Sequence, residues 1–224
     1  MRISKSVMAA ALGAMCLYPS IGSSAPLQYE QIVASAAHDQ KALMHVGTEV
    51  APPVGHVGFC QRNPADCAGG TPAIKPFVLT RKLWQQLVFV NDHINRTIPA
   101  IEDRELYGRI EYWTYATKQG GDCEDYALLK RKWLIDRGWP PQALLLAVVR
   151  EQNGAGHAVL VASTDQGDFV LDNQTRNIVR WHDAPYRWVK RQSPTAPARW
   201  VSLEQADEGM GALATAGADS SGGD

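Results

Sequence analysis

The sequence predicts an α+β fold in which helices come first and an antiparallel sheet follows. Three observations predict it. Two segments, 81–98 and the stretch after Asp122, carry helix start and stop signals. Three strand-like runs, "ALLLAVVR", "HAVLVAS" and "DFVLDN", come after the second helix, and the turn "TDQGD" joins the last two. The 224 residues, 45% hydrophobic and 20% charged, suffice for one well-buried domain and not for two comfortable ones. A formal net charge of −1 gives no long-range pull toward nucleic acid or an anionic membrane.

In chain order, residues 1–25 read as an export segment. Arg2 and Lys5 supply the positive start, "VMAAALGAMCLY" the apolar stretch, and "SIGSSAP" the small residues near a cleavage bond. A lipoprotein site at Cys16 is disfavoured, because "GAM" precedes it in place of the leucine and small residue such a site wants. No run of ~20 apolar residues is present to span a bilayer in the mature chain. The domain is expected over 26–205, with "GMGALATAGADSSGGD" closing a small, polar, disordered tail at 206–224. Residues 27–47 carry an apolar stripe (Leu27, Ile32, Ala36, Leu43) and are expected to form a helix ending before Gly47. "TEVAPPVGHVGFCQRNPADCAGGTPAIKP" is rich in Pro and Gly and is expected to be loop.

Export makes a Cys60–Cys67 disulfide the natural reading of "FCQRNPADC". The rival is a zinc site that adds His56 to the two cysteines, and it lacks a fourth ligand at sensible spacing. Thr80 caps the helix "RKLWQQLVFVNDHINRTI", whose Leu83, Leu87, Val90 and Ile94 share a face until Pro99 stops it. A loop containing "YWTYA" leads to a second helix. There Asp122 is the expected N-cap and Asp125 its capping-box partner, with Tyr126, Leu129, Trp133 and Leu134 as the buried face. Gly138 and Pro140–Pro141 end it.

With Asp122 as N-cap, Cys123 is the first helical residue. The helix start favours a thiolate there, and the Cys123 amide is free to serve an oxyanion. His157 opens one strand and Asp172 closes the next, so a hairpin brings them to the same end of the sheet. The Asp carboxylate can then hold the far nitrogen of the imidazole and leave the near one facing sulfur. Taken singly, the bland readings are a buried cysteine, a locally satisfied histidine and a turn aspartate. The order Cys, His, Asp on converging elements favours a catalytic triad.

"GGDCEDYALLKRKWLIDRGW", "HAVLVA" and "FVLDN" closely resemble the bacterial transglutaminase-like cysteine proteinase family, over about residues 77–200. The resemblance implies a papain/transglutaminase-like fold with Cys123, His157 and Asp172 as the triad. It also implies endoproteolysis in the periplasm, beside paired alanines near the N-terminus of a large surface adhesin. An inner-membrane receptor that senses cyclic-di-GMP would restrain the enzyme, so that its release promotes biofilm dispersal.

Three carboxylates around one thiol work against its ionisation. One unit charge ~4 Å away in high dielectric is worth about 1 kcal/mol. Clustered carboxylates are hard oxygen ligands of the kind Ca²⁺ takes, and a bound cation would remove the conflict. The resemblance implies calcium dependence with Asp122 and Glu124 as ligands; Asp125 is a further candidate beside them. A transglutaminase or amidase would use the same acyl-enzyme, and a binding module could keep the fold without chemistry. Gln119 and Trp113 are both candidates for a second oxyanion donor, while Trp181, Tyr186 and Trp188 suggest either a partner surface or a packed sheet edge.

Overall fold

The structure, a computed structural model, describes residues 28–36, 43–68 and 76–203. The expected export segment and tail lie outside the described residues. Six helices are described: α1 (Tyr29–Ala36), α2 (Val54–Arg62), α3 (Pro64–Cys67), α4 (Arg81–Thr97), α5 (Asp103–Tyr107) and α6 (Cys123–Ile135). The strands are β1 (Val46–Val50), β2 (Leu144–Arg150), β3 (Gly156–Thr164), β4 (Gly167–Leu171), β5 (Val179–Arg180), β6 (Arg187–Ser193) and β7 (Ala196–Leu203). They form one seven-stranded sheet in the order β1-β7-β6-β2-β3-β4-β5, and every neighbouring pair is antiparallel. The α+β class holds. No helix among the described residues is long and apolar enough to cross a membrane.

The central strands read as unbroken apolar runs because both faces of the sheet are covered. Leu144, Leu146, Leu160, Ala162, Phe169 and Leu171 pack with the helices into the larger core. Ala147, Val149, Val159, Val161 and Val170 alternate with them and meet Trp181, Trp188 and Met44 on the other side. Trp181 and Trp188 are therefore core and do not offer a partner surface.

Helix α4 follows expectation: Thr80 is its N-cap and its hydroxyl accepts from the Leu83 N–H at 3.3 Å. Leu87, Val90 and Ile94 are buried, joined by Trp84 and Asn91, while Leu83 is half-buried. Helix α6 departs from its expected single face. Leu129 and Trp133 are only half-buried, whereas Ala127, Leu128, Lys130 and Arg131 are buried with Tyr126 and Leu134. The helix lies between α4 and the sheet, so it is covered on nearly every side.

Two expectations fail. The helix expected over 27–47 is described only as far as Ala36, and Val46–Val50 pairs with β7 (Val46 opposite Leu203, Val50 opposite Trp200). The β-branched alternation of "VGTEV" decides that segment. The Pro-rich stretch holds α2 and α3, not loop alone. Pro53 is the N-cap of α2 and Pro64 opens α3, so these prolines start helices where they were read as breaks. Cys60 and Cys67 form a disulfide with Cα atoms 5.5 Å apart, which fastens α3 to α2. Those sulfurs are thereby unavailable to zinc. His56 is enclosed between Trp113 and Trp200, accepts from the Trp200 indole N–H at 3.2 Å, and is lowered to about 4 by burial. It is a neutral core histidine.

Candidate active site

The "GGDC" segment forms a tight platform before α6. Gly120 has φ +140°, a region that favours glycine. A Cβ on Gly121 would stand 2.7 Å from that of Ala116 and 2.9 Å from that of Asp125, so the second glycine permits close approach. Two backbone bonds, Ile101 N–H to Gly121 O and Gly121 N–H to Pro99 O, pin the platform to the end of α4.

Asp122 occupies the N-cap position, yet its side chain makes no capping bond. One of its oxygens instead accepts from the Asp103 N–H at 3.2 Å. Asp125 accepts from the Thr114 N–H at 2.7 Å, and the Asp122 N–H also favours its ionised form. The expected capping box is thus only half present, because these carboxylates are turned toward one another. Asp103, a residue the sequence reading missed, brings its carboxylate within 4.8 Å of those of Asp122 and Asp125. Asp122, Cys123 and Glu124 form an overlapping group of the same size. Each of the four acids leaves one buried oxygen without a hydrogen-bond partner: Asp103 Oδ1, Asp122 Oδ1, Glu124 Oε1 and Asp125 Oδ2. Burial and neighbouring carboxylates push Glu124 up to about 9 and Asp125 up to about 8, and raise Asp103 and Asp122 as well. The charges that shift them are other acids, with no lysine or arginine among them. Four inward carboxylates with unused oxygens and no protein cation are a donor set that fits a hard divalent ion.

Cys123 is the first residue of α6 and a free cysteine. Its thiol donates to Glu124 Oε2 at 3.1 Å, and the Ala158 N–H, adjacent to His157, favours its ionised form. Burial first, then the Glu124 carboxylate, push the thiol well above its usual range. The acidic setting therefore opposes ionisation, as the sequence implied.

His157 and Asp172 meet as expected, with His157 Nε2 2.9 Å from Asp172 Oδ1 and both side chains buried. Burial alone would raise Asp172, but bonds from His157, the Gln174 N–H and Tyr186 hold it below the usual carboxylate range. An ionised carboxylate only accepts, so Nε2 carries a proton, and in the neutral imidazole Nδ1 is then the nitrogen with the lone pair. The Gln174 N–H donates to Asp172 Oδ1 at 2.9 Å, and Asn95 Nδ2 donates to the Asp172 carbonyl at 2.7 Å. Asn95 opens the sequon Asn95-Arg96-Thr97, and its amide donates inward to both the Asp172 and the Thr175 carbonyls.

Trp113 is core: it is buried, packs on His56 and Trp200, and donates to Glu111 at 3.1 Å. Of the two oxyanion candidates only Gln119 is placed on the surface, in the turn closed by Thr117 and Gly120.

Residues 46–208 match the sequence profile of the bacterial transglutaminase-like cysteine proteinases (BTLCP). Solved structures that resemble the chain include Legionella pneumophila LapG in a calcium-bound form, 18% identical, with 83% of this chain and 94% of that chain covered and a TM-score of 0.47. An EGTA-treated form of the same protein is 21% identical, covers 81% and 88%, and has a TM-score of 0.45. No match was found among curated proteins.

Proposed function

The chain belongs to the bacterial transglutaminase-like cysteine proteinase family, and from that premise we propose that it is a calcium-dependent cysteine endopeptidase using Cys123, His157 and Asp172. The observation that carries the reading is the buried His157–Asp172 pair together with the free Cys123 thiol at the start of α6, which the N–H of Ala158, the residue after His157, reaches. The Cys123 proton passes to His157 Nδ1 as sulfur attacks the scissile carbonyl carbon. The resulting oxyanion is met by the Cys123 backbone N–H at the start of α6, and Gln119 is the candidate second donor. His157 returns the proton to the departing amine as the C–N bond breaks, leaving a thioester on Cys123. A water then gives a proton to Nδ1 and adds to the thioester, the C–S bond breaks as Nδ1 returns that proton to the departing sulfur, and the acid product leaves. Asp172 keeps the imidazole in the required tautomer throughout.

Asp122, Glu124 and Asp125, together with Asp103, are the residues that would hold calcium. Bound there, the ion would supply the positive charge that the cluster lacks and end its opposition to the thiolate. Glu124, engaged as a ligand, would no longer accept from the thiol.

The wider reading rests on the sequence resemblance. The mature domain, 26–205, is exported to the periplasm once 1–25 is removed. It cuts a large surface adhesin near its N-terminus at an Ala-Ala site, and a cyclic-di-GMP-sensing inner-membrane receptor holds it in check until dispersal. The test is to mix the mature protein with an adhesin N-terminal fragment and a labelled amine. Wild type should give two fragments and no label, and Cys123→Ser should give neither. Label joined to an uncut fragment would replace the proteinase reading with transglutamination.

A further inference from the structure

Tyr186 is the side chain on Asp172 that the triad does not use. It precedes β6 and is fixed by its own N–H, which bonds the Ala184 carbonyl at 2.8 Å. Its hydroxyl donates to Asp172 Oδ2, the oxygen not facing His157. Its ring lies against the imidazole, with centroids 5.5 Å apart at 49°. The carboxylate is thus held at both oxygens: His157 and the Gln174 N–H on Oδ1, and Tyr186 on Oδ2. Without the phenol, Asp172 could rotate about its Cβ–Cγ bond, and the imidazole would lose the fixed acceptor that sets its orientation.

We propose that Tyr186 is a positioning residue of the site, acting on His157 through Asp172. Burial, followed by the Asp172 carboxylate, raises the phenol far above its ordinary range, so it remains a donor at every working pH. The same side chain helps line a groove of about 490 Å³ with Arg150, Glu151 and Gly154. Gln174, whose N–H holds Asp172, also donates through its side chain to Glu151 Oε1 at 2.6 Å. Tyr186→Phe keeps the ring over His157 and the groove wall, and deletes only the donor. A substitution that acts through orientation should therefore lower kcat and leave KM alone.

This inference rests on the cysteine proteinase reading, so the experiment includes a readout that does not need turnover. Wild type, Tyr186→Phe, Asp172→Asn and the double variant are compared on an adhesin N-terminal fragment carrying an Ala-Ala bond. Tyr186→Phe should lower kcat roughly tenfold or more, with KM unchanged within about twofold. In the Asp172→Asn background the second substitution should cost nothing further, because the path through Asp172 is already cut. In parallel, the His157 Nε2 proton is observed by ¹⁵N-edited NMR. It should be sharp in wild type and lost to exchange in Tyr186→Phe. Unchanged kcat, fully multiplicative effects, or an unaltered Nε2 resonance would each overturn the inference. Absence of cleavage by wild type with calcium present would defeat the adhesin-cleaving reading alone, and the NMR comparison would still decide the role of Tyr186.

Discussion

At the scale of single residues, the site sets two demands against each other. On the proposed mechanism Cys123 must ionise, yet burial and the surrounding acids raise its pKa and Glu124 accepts from its thiol. On the same mechanism His157 accepts a proton at Nδ1, which Asp172 allows by holding Nε2. Asp172→Asn should preserve the fold and cut turnover roughly 10²- to 10⁴-fold, measured as kcat beside an unchanged circular dichroism spectrum. Turnover near that of wild type would reduce Asp172 to a turn residue. Glu124→Gln replaces the carboxyl that accepts from the thiol, and that would ligate the ion, with a neutral amide. Calcium affinity should fall at least ~10-fold by calorimetry, since ligand charge sets affinity at such sites. Undiminished affinity would take Glu124 out of the ligand set.

At the scale of elements, α4 and α6 jointly hold the loop that bears Asp172. Lys130 of α6 is fully buried and donates to Asn91 Oδ1 at 2.8 Å. Asn91 in turn donates to the Thr175 and Arg176 carbonyls, at 3.0 and 3.2 Å. Burial lowers Lys130 from 10.5 to about 7, with the Asp172 charge opposing. Between those values the unfolded chain keeps a proton that the folded one has released, so this group makes stability rise with pH from about 7 to 10.5. Lys130→Met should flatten that rise in urea titrations; an unchanged slope would mean that other groups produce it. Reducing the Cys60–Cys67 bridge, or replacing both cysteines by alanine, should lower stability by about 2–3 kcal/mol for so short a loop. Activity per folded molecule should hold, since α2 and α3 carry none of the triad. The elements that bear the site were legible because their signals are local: Thr80 before α4, glycines before Cys123, a turn between β3 and β4. The rest depended on packing. Pro53 starts α2 because His56 and Phe59 find a core to enter, and Pro64 starts α3 where the Cys60–Cys67 bridge holds it to α2. Asp103 and Tyr186 lie 19 residues before Asp122 and 14 after Asp172, and nothing at those spacings marks a partner.

At the scale of the whole molecule, the buried carboxyls of Asp103, Glu124 and Asp125 and the half-buried one of Asp122 crowd together between α5, the platform and α6, where charging all four is unfavourable. A cation that binds only the folded chain should stabilise it by about 2.7 kcal/mol at a hundredfold excess over its Kd. The melting temperature should rise with calcium and fall in EGTA, and insensitivity to both would leave the cluster as protonated, capped acids. The most direct test follows turnover of the adhesin N-terminal fragment by the mature protein as supplied, in excess EGTA, and after calcium is restored. The account predicts cleavage, then silence, then cleavage again, with Cys123→Ser silent at every stage. Cleavage that continues unabated in EGTA would contradict it.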